Sequence, residues 1–156
     1  MNFMDDGSGF TLGLQYRDSP EDTATTERNR KILLDAFDKL ATGDVDGFWS
    51  IYDPDVVFYE APCLPYGGAH KGLKAVQAAV EKLLSYYASM HTVIERVLFA
   101  HDMALLYQTL TFRTKATGST GTLPVAELYR FRNGKVIEWR ALYFDSNAVA
   151  QAIKGT

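Results

Sequence analysis

Asn133-Gly134, set between two runs of alternating apolar and polar residues, commits the C-terminal part of this chain to a β-hairpin. A two-residue type I′ turn needs φ > 0 at both central positions, which Asn-Gly tolerates, and residues 127–132 and 135–144 supply the aromatic and β-branched flanks. With a regular turn Arg132 faces Lys135, and counting outward places Glu127 opposite Arg140 on one face. Two readings of that pair stand open: a solvent-facing ion pair, or a carboxyl turned into a cavity. The same count puts Tyr129 and Trp139 on opposite faces. The second strand ends at Asp145, where a short helical pattern begins, a junction that suits either a catalytic acid on a rigid wall or a helix N-cap.

Upstream, the pattern is helical first. Ser19-Pro20-Glu21-Asp22 offers an N-cap, a proline at the first helical position and acid in the first turn. The helix that follows to about Thr42 carries the stripe Ile32, Leu33, Ala36, Phe37 and Leu40, and Gly43 stops it. Asp44 caps a shorter helix bearing Phe48, Trp49 and Ile51, which Pro54 ends. A strand over 55–60 leads into a loop rich in Pro and Gly. A third helix is expected from about Leu73 to Tyr87, with Val76, Ala79, Val80, Leu83 and Leu84 on its buried side. Strands follow over roughly 91–100, 103–115, 122–132 and 135–144. Helices first and a meander of strands afterwards predicts an α+β fold: a curved antiparallel sheet wrapped around three N-terminal helices as a cone-shaped barrel, with a short C-terminal helix. Residues 19–156 are read as one domain. Residues 1–18, where Phe10, Leu12, Leu14 and Tyr16 alternate in strand period, are read as an arm that packs on the sheet or on a second subunit, with simple disorder as the alternative.

The chain has 156 residues, enough for one domain with a substantial core. A net charge of −3 without a Lys/Arg run argues against nucleic-acid binding. Cys63 is the single cysteine, so no internal disulfide forms, and a reducing cytoplasmic setting is expected. No basic n-region with an apolar h-region opens the chain, and no apolar run is long enough to span a bilayer, so neither secretion nor membrane insertion is expected. His70, His91 and His101 lack metal-ligand spacing, and no metal or organic cofactor is expected. His91 opens a strand and is a candidate acid or donor if it turns inward. The Tyr66-Gly67-Gly68 loop lacks the spacing of a phosphate cradle and reads as a cavity rim.

The markers Gly43-Asp44-Val45-Asp46-Gly47 before Tyr52, the Tyr66-Gly67-Gly68 to Gly72 loop, and Asn-Gly-Lys-Val followed by Trp139 and Asp145 resemble the nuclear transport factor 2-like superfamily over about residues 25–155. That superfamily includes ketosteroid isomerase, limonene epoxide hydrolase and the SnoaL-like polyketide cyclases. The resemblance implies the cone fold and, residue by residue, a divided picture. Glu60 falls where ketosteroid isomerase has its general-base aspartate, and Glu127 where it keeps a protonated aspartic acid as oxyanion donor. The position of its oxyanion tyrosine holds Ala36. Asp145 matches the acid/base aspartate of the SnoaL-like cyclases, whose histidine corresponds to Glu127. One extra residue between Arg140 and Asp145, relative to their pattern, predicts a β-bulge there. The Arg and Asp of limonene epoxide hydrolase correspond to Thr109 and Thr111.

Carboxyls suit such a pocket because an apolar cavity raises their pKa towards neutrality, where one group can take a proton from carbon and return it elsewhere. The candidate acid/base residues are Asp145, Glu60, Glu127 and His91. Aromatics form 13% of the chain, and Trp49, Tyr52, Phe58, Tyr66, Tyr107, Tyr129, Trp139 and Tyr143 are candidates to line a pocket for a small hydrophobic, ring-containing ligand. The expected function is a cofactor-independent isomerase or cyclase acting on an oxygenated ring or polyketide-like substrate. A non-catalytic binding or interaction module is the alternative, with epoxide hydrolysis a minor third. A homodimer is the expected assembly, because the outer sheet face would carry Trp139 or Tyr129.

Overall fold

The computed structural model describes residues 20–155, with side chains from residue 23 onward, so the expected arm and the Ser19 cap lie outside the described residues. The order of elements is α1 (Pro20–Ala41), α2 (Val45–Trp49), β1 (Tyr52–Glu60), β2 (Gly68–Lys71), α3 (Leu73–Ser85), β3 (Tyr87–Ala100), β4 (Met103–Thr114), β5 (Thr120–Arg132), β6 (Lys135–Tyr143) and α4 (Ser146–Lys154). This is the expected α+β fold, and the described residues form a six-stranded sheet ordered β2-β1-β6-β5-β4-β3. Four of the five neighbouring pairs run antiparallel, but β1 lies parallel to β6, because the chain leaves β1 through β2 and α3 and returns to its side only with the last strand.

Local chemistry sets most boundaries. Asp44 caps α2 by accepting from the Gly47 N–H at 2.8 Å. α2 ends three residues before β1, which starts earlier than expected and contains Pro54. The proline sits in the irregular stretch between the Tyr52–Val136 and Val57–Glu138 pairs, where no ladder bond needs its missing N–H. Part of the loop after β1 forms β2, which pairs back onto β1 from Val57–Lys71 to Glu60–Gly68. The turn beneath it requires Gly67, since a Cβ there would lie 2.1 Å from the Ala61 carbonyl oxygen. β3 begins at Tyr87, shortening α3. Asn133 and Gly134 have φ of 53° and 76°, and Arg132 pairs with Lys135 as a type I′ turn dictates.

One irregularity governs the faces of the hairpin. Phe131 pairs with Val136 but Arg130 pairs with Glu138, so Ile137 is an extra residue and a bulge. From there to Val125–Tyr143 the ladder is regular, and the bulge expected between Arg140 and Asp145 lies instead at Ile137. Every residue beyond it moves to the opposite face from the simple count. Glu127 now faces Ala141, not Arg140, while Tyr129 and Trp139 pair and both point inward, their rings stacked at 5.7 Å.

The concave face carries two core clusters. One, against α1, α2 and α3, centres on Leu33, Phe48, Val56, Phe58, Val76, Leu106 and Tyr129; the other, closed by α4, centres on Tyr66, Tyr87, Leu110, Phe112, Val125, Val149 and Ile153. α1 is fastened to the β3–β4 turn by polar bonds: Asn29 Nδ2 donates to the His101 carbonyl at 2.9 Å, and Thr26 Oγ1 accepts from the His101 N–H at 2.7 Å. No helix among the described residues is long and apolar enough to cross a membrane.

Candidate functional site

The two clusters do not meet completely, and two connected cavities fill the seam. The outer one, about 680 Å³, lies between α1, α2, α3 and β3, with Trp49, Tyr129 and Trp139 in its wall. It opens to solvent past Leu40, Val45, Leu84 and Ile94, each 41–49% exposed. A smaller chamber of about 100 Å³ continues inward between Phe58, Leu110 and Val125. Glu127, Gln108 and Trp139 border both. Glu60 and Tyr143 close the inner end.

Glu60 is the last residue of β1 and is 4% exposed. Its Oε1 accepts from the Ala61 N–H at 3.0 Å and its Oε2 from the Tyr143 hydroxyl at 3.2 Å. Burial pushes its carboxyl up to about 7; the two donated bonds pull the other way and the charge of Glu127 adds to the rise. Behind Tyr143 the network continues through Tyr66, whose hydroxyl is hydrogen-bonded to that of Tyr87 at 2.5 Å. Burial holds all three phenolic protons in place at neutral pH.

Glu127 points inward from the middle of β5. Its Oε2 accepts from the Tyr129 hydroxyl at 2.8 Å and from Trp139 Nε1 at 3.2 Å, and Gln108 bonds to the same carboxyl. Burial nonetheless outweighs these bonds and raises its pKa. The Tyr52 hydroxyl is electrostatically coupled to Glu127 and Tyr129 but makes no hydrogen bond of good geometry. Trp139 forms the floor between the acids, stacked on Phe58 at 4.2 Å.

The structure therefore brings Glu60 and Glu127 to one cavity and leaves the other two acid/base candidates outside it. Asp145 is exposed and caps α4, accepting from the Ala148 N–H at 2.9 Å. His91 is exposed on the convex face, paired with Thr111, because its neighbours Met90 and Thr92 take the concave positions opposite Phe112 and Leu110. Among the aromatics, Trp49, Phe58, Tyr129, Trp139 and Tyr143 line the cavities. Tyr52 packs against Trp49 and Trp139 within the core, and Tyr66 sits behind Tyr143. Tyr107 lies on the convex face, 43% exposed. The ion-pair reading of Glu127 and Arg140 is overturned: Arg140 bonds Glu138 at 2.9 Å and stacks over Tyr59, on the other side of the sheet. Thr109 and Thr111 also face outward, opposite Pro124 and Thr122, so no epoxide-opening pair is placed in the cavity. Gln108 escaped the sequence reading. Its signal is the alternation Ala104, Leu106, Gln108, Leu110, Phe112 along β4, in which one polar residue occupies a buried position.

Among the described residues no cluster of His, Cys, Asp or Glu is arranged to hold a metal ion. Solved structures of the same fold include an NTF2-like protein of unknown function from Burkholderia pseudomallei, with 19% identity, TM-score 0.72, and 81% of this chain and 97% of that one covered. A SnoaL-like polyketide cyclase, described as such without proof, from Jannaschia sp. CCS1 shares 20% identity at TM-score 0.68, covering 90% and 99%. TerC, crystallised with polyporic acid, shares 19% identity at TM-score 0.69, covering 81% and 98%. At these identities the likeness is one of fold. No functionally curated protein matches the chain. The family model described as the SnoaL-like domain matches residues 33–139, from the buried turn of α1 to the tryptophan beneath the two acids, and the chain belongs to that SnoaL-like family.

Proposed function

We propose that this SnoaL-like chain is a cofactor-independent isomerase or cyclase that moves protons on a hydrophobic, oxygenated ring or polyketide-like substrate. The observation that supports it is a buried carboxyl, Glu60, and a half-buried one, Glu127, facing one aromatic-lined cavity and both raised in pKa by their removal from water. Glu60, titrating near 7, is divided between its two forms at neutral pH and suits a group that removes a proton and gives it back. Glu127 suits the neutral acid. The bonds from Tyr129 and Trp139 both land on Oε2, so its own proton belongs on Oε1, from which it can turn to a developing enolate in place of Gln108.

In the reaction the Glu60 carboxylate takes a proton from carbon beside a carbonyl. The C–H electron pair moves into the carbonyl, and Glu127 hydrogen-bonds the resulting enolate oxygen. An isomerase closes the cycle when Glu60 returns the proton to a conjugated carbon. A cyclase closes it when the enolate carbon bonds to a second carbonyl and Glu60 protonates the new alkoxide. Both leave the enzyme as it began. Trp139, Phe58 and Trp49 supply flat apolar walls for the ring system.

The test pairs a turnover screen of β-dicarbonyl and unsaturated ketone substrates with direct binding, polyporic acid being a first probe. Glu60→Gln is expected to lower kcat by about 10²–10⁴-fold, the usual contribution of a positioned general base. Glu127→Gln should lower it by about 10²–10³-fold, as when one oxyanion donor is lost. Binding should change little in either variant. Turnover that persists in the double variant would sink the reading. The size and aromatic lining of the outer cavity also favour a second reading, a ligand carrier without chemistry. It predicts that binding survives in the double variant and that the wild type turns over none of the substrates.

A further inference from the structure

The sheet is not sealed at Glu60. Pairing of β1 with β6 stops at Tyr59–Arg140, whereas β6 stays paired with β5 as far as Tyr143. Beyond that last pair Glu60 and the end of β6 diverge, and a groove of about 510 Å³ occupies the convex side between Ala69, Pro62, Arg140 and Leu142. Glu60, Ala141 and Tyr143 line both this groove and the inner chamber. The partition between them is thus the Glu60 side chain itself, held by the 3.2 Å bond from Tyr143.

We propose that this slit is a second route to Glu60, through which water or a small acid in the convex groove exchanges protons with its carboxyl while a ligand fills the outer cavity. A ligand lodged against Trp139 and Glu127 would block the way from the inner chamber through the outer cavity, so a base reached from that side alone would keep whatever protonation state it had on binding. The slit removes that constraint. The ionisable groups around Glu60 are Tyr143 on β6, Tyr66 in the β1–β2 connection, Tyr87 on β3 and Glu127 on β5. Arg140 stands at the groove but is held by Glu138 and Tyr59. None of the tyrosines releases a proton near neutral pH, which leaves water or a small acid in the groove as the exchange partner.

This inference deepens the acid/base reading of Glu60, yet its test needs no turnover, so the two can fail separately. Cys63, an exposed free thiol, is first removed as Cys63→Ser, and Glu60→Cys then places a thiol at the partition. Its rate of alkylation by iodoacetamide is followed by mass spectrometry. Thr92→Trp fills the boundary between chamber and outer cavity; Ala69→Trp fills the groove. Thr92→Trp alone should slow labelling by less than about three-fold, and adding Ala69→Trp should slow it by about ten-fold or more. A ten-fold loss with Thr92→Trp alone, or no further loss with Ala69→Trp, overturns the proposal. If circular dichroism shows that Glu60→Cys does not fold, Ala141→Cys at the same partition gives the same comparison.

Discussion

A carboxyl that is neutral in the folded protein and ionised in the unfolded chain works against stability wherever the two states differ. Glu60 has its pKa raised from 4.5 to about 7 by burial, so between those values the native state binds the proton that the unfolded state has lost. Stability should therefore be greatest below pH 4.5 as far as this group is concerned, fall as the pH rises, and level off above 7. The full span is on the order of 3 kcal/mol. Glu60→Gln removes the titration, and melting curves at pH 5 and pH 8 should show the variant losing less stability over that interval than the wild type. Glu127 pulls in the same direction, so part of the slope should remain until both are replaced. The Tyr143 hydroxyl donates to Glu60 and lowers its pKa, which makes a second expectation definite in sign. In Tyr143→Phe the Glu60 carboxyl should titrate higher than in the wild type by carbon-13 NMR. An unchanged or lower value would mean that the bond is not made in solution.

Elements differ in how much of their chemistry is local, and that difference decided what could be read from the chain. Asp44 and Asp145 are caps written in a few residues, and Asn133-Gly134 writes its own turn. For Asp145 the consequence is energetic. Asp145→Ala should cost about 1 kcal/mol of stability, as removing a side-chain cap usually does, whereas Asp145→Asn should be close to neutral and leave any turnover intact. Loss of turnover in Asp145→Asn with an unchanged melting temperature would return it to the site. The faces of β5 and β6 were not legible in the same way. A single extra residue, Ile137, inverts the inward and outward sets, and nothing in Val136-Ile137-Glu138 marks which residue will be left unpaired. The bulge coincides with the irregular stretch of β1 around Pro54, a partner more than 80 residues away, so the deciding contact is not local. Glu60 was legible because its position depends on the gapless run from Asp44 through β1. Glu127 became a site residue only through the bulge. β2 was missed because it is four residues long and exists only by pairing with β1.

At the scale of the whole molecule the unsolved surface is the convex face of the sheet. Because Tyr129 and Trp139 both turn inward, the ground for expecting a dimer changes, but the apolar surface remains. Ladder pairing aligns Arg140, Leu128, Leu105 and Leu98 in one row across β6 to β3, and Leu142, Ala126, Tyr107 and Arg96 in the next. Leu98 is 60% exposed, and Phe144, just past the end of β6, is 83% exposed. Large side chains left open in contiguous rows, edged by Arg130, Arg140 and Glu138, fit a surface that another copy of the chain covers. A two-fold dimer would place each copy's arginines where the other's acids can meet them, because an isologous contact presents the same mixed rim from both sides. The proposed groove beside Glu60 borders this face at Arg140 and Leu142, so the two readings constrain each other: a dimer must leave the slit open or the proton route closes. Sedimentation of the wild type should give a dimer at micromolar concentration, and Leu98→Glu with Tyr107→Glu should shift it to monomer while circular dichroism stays unchanged. Labelling of the Glu60→Cys thiol should then be no slower in the dimer than in that monomer. A wild type that sediments as monomer would show that the convex face stands open, and a labelling rate that rises on dissociation would show that assembly covers the groove.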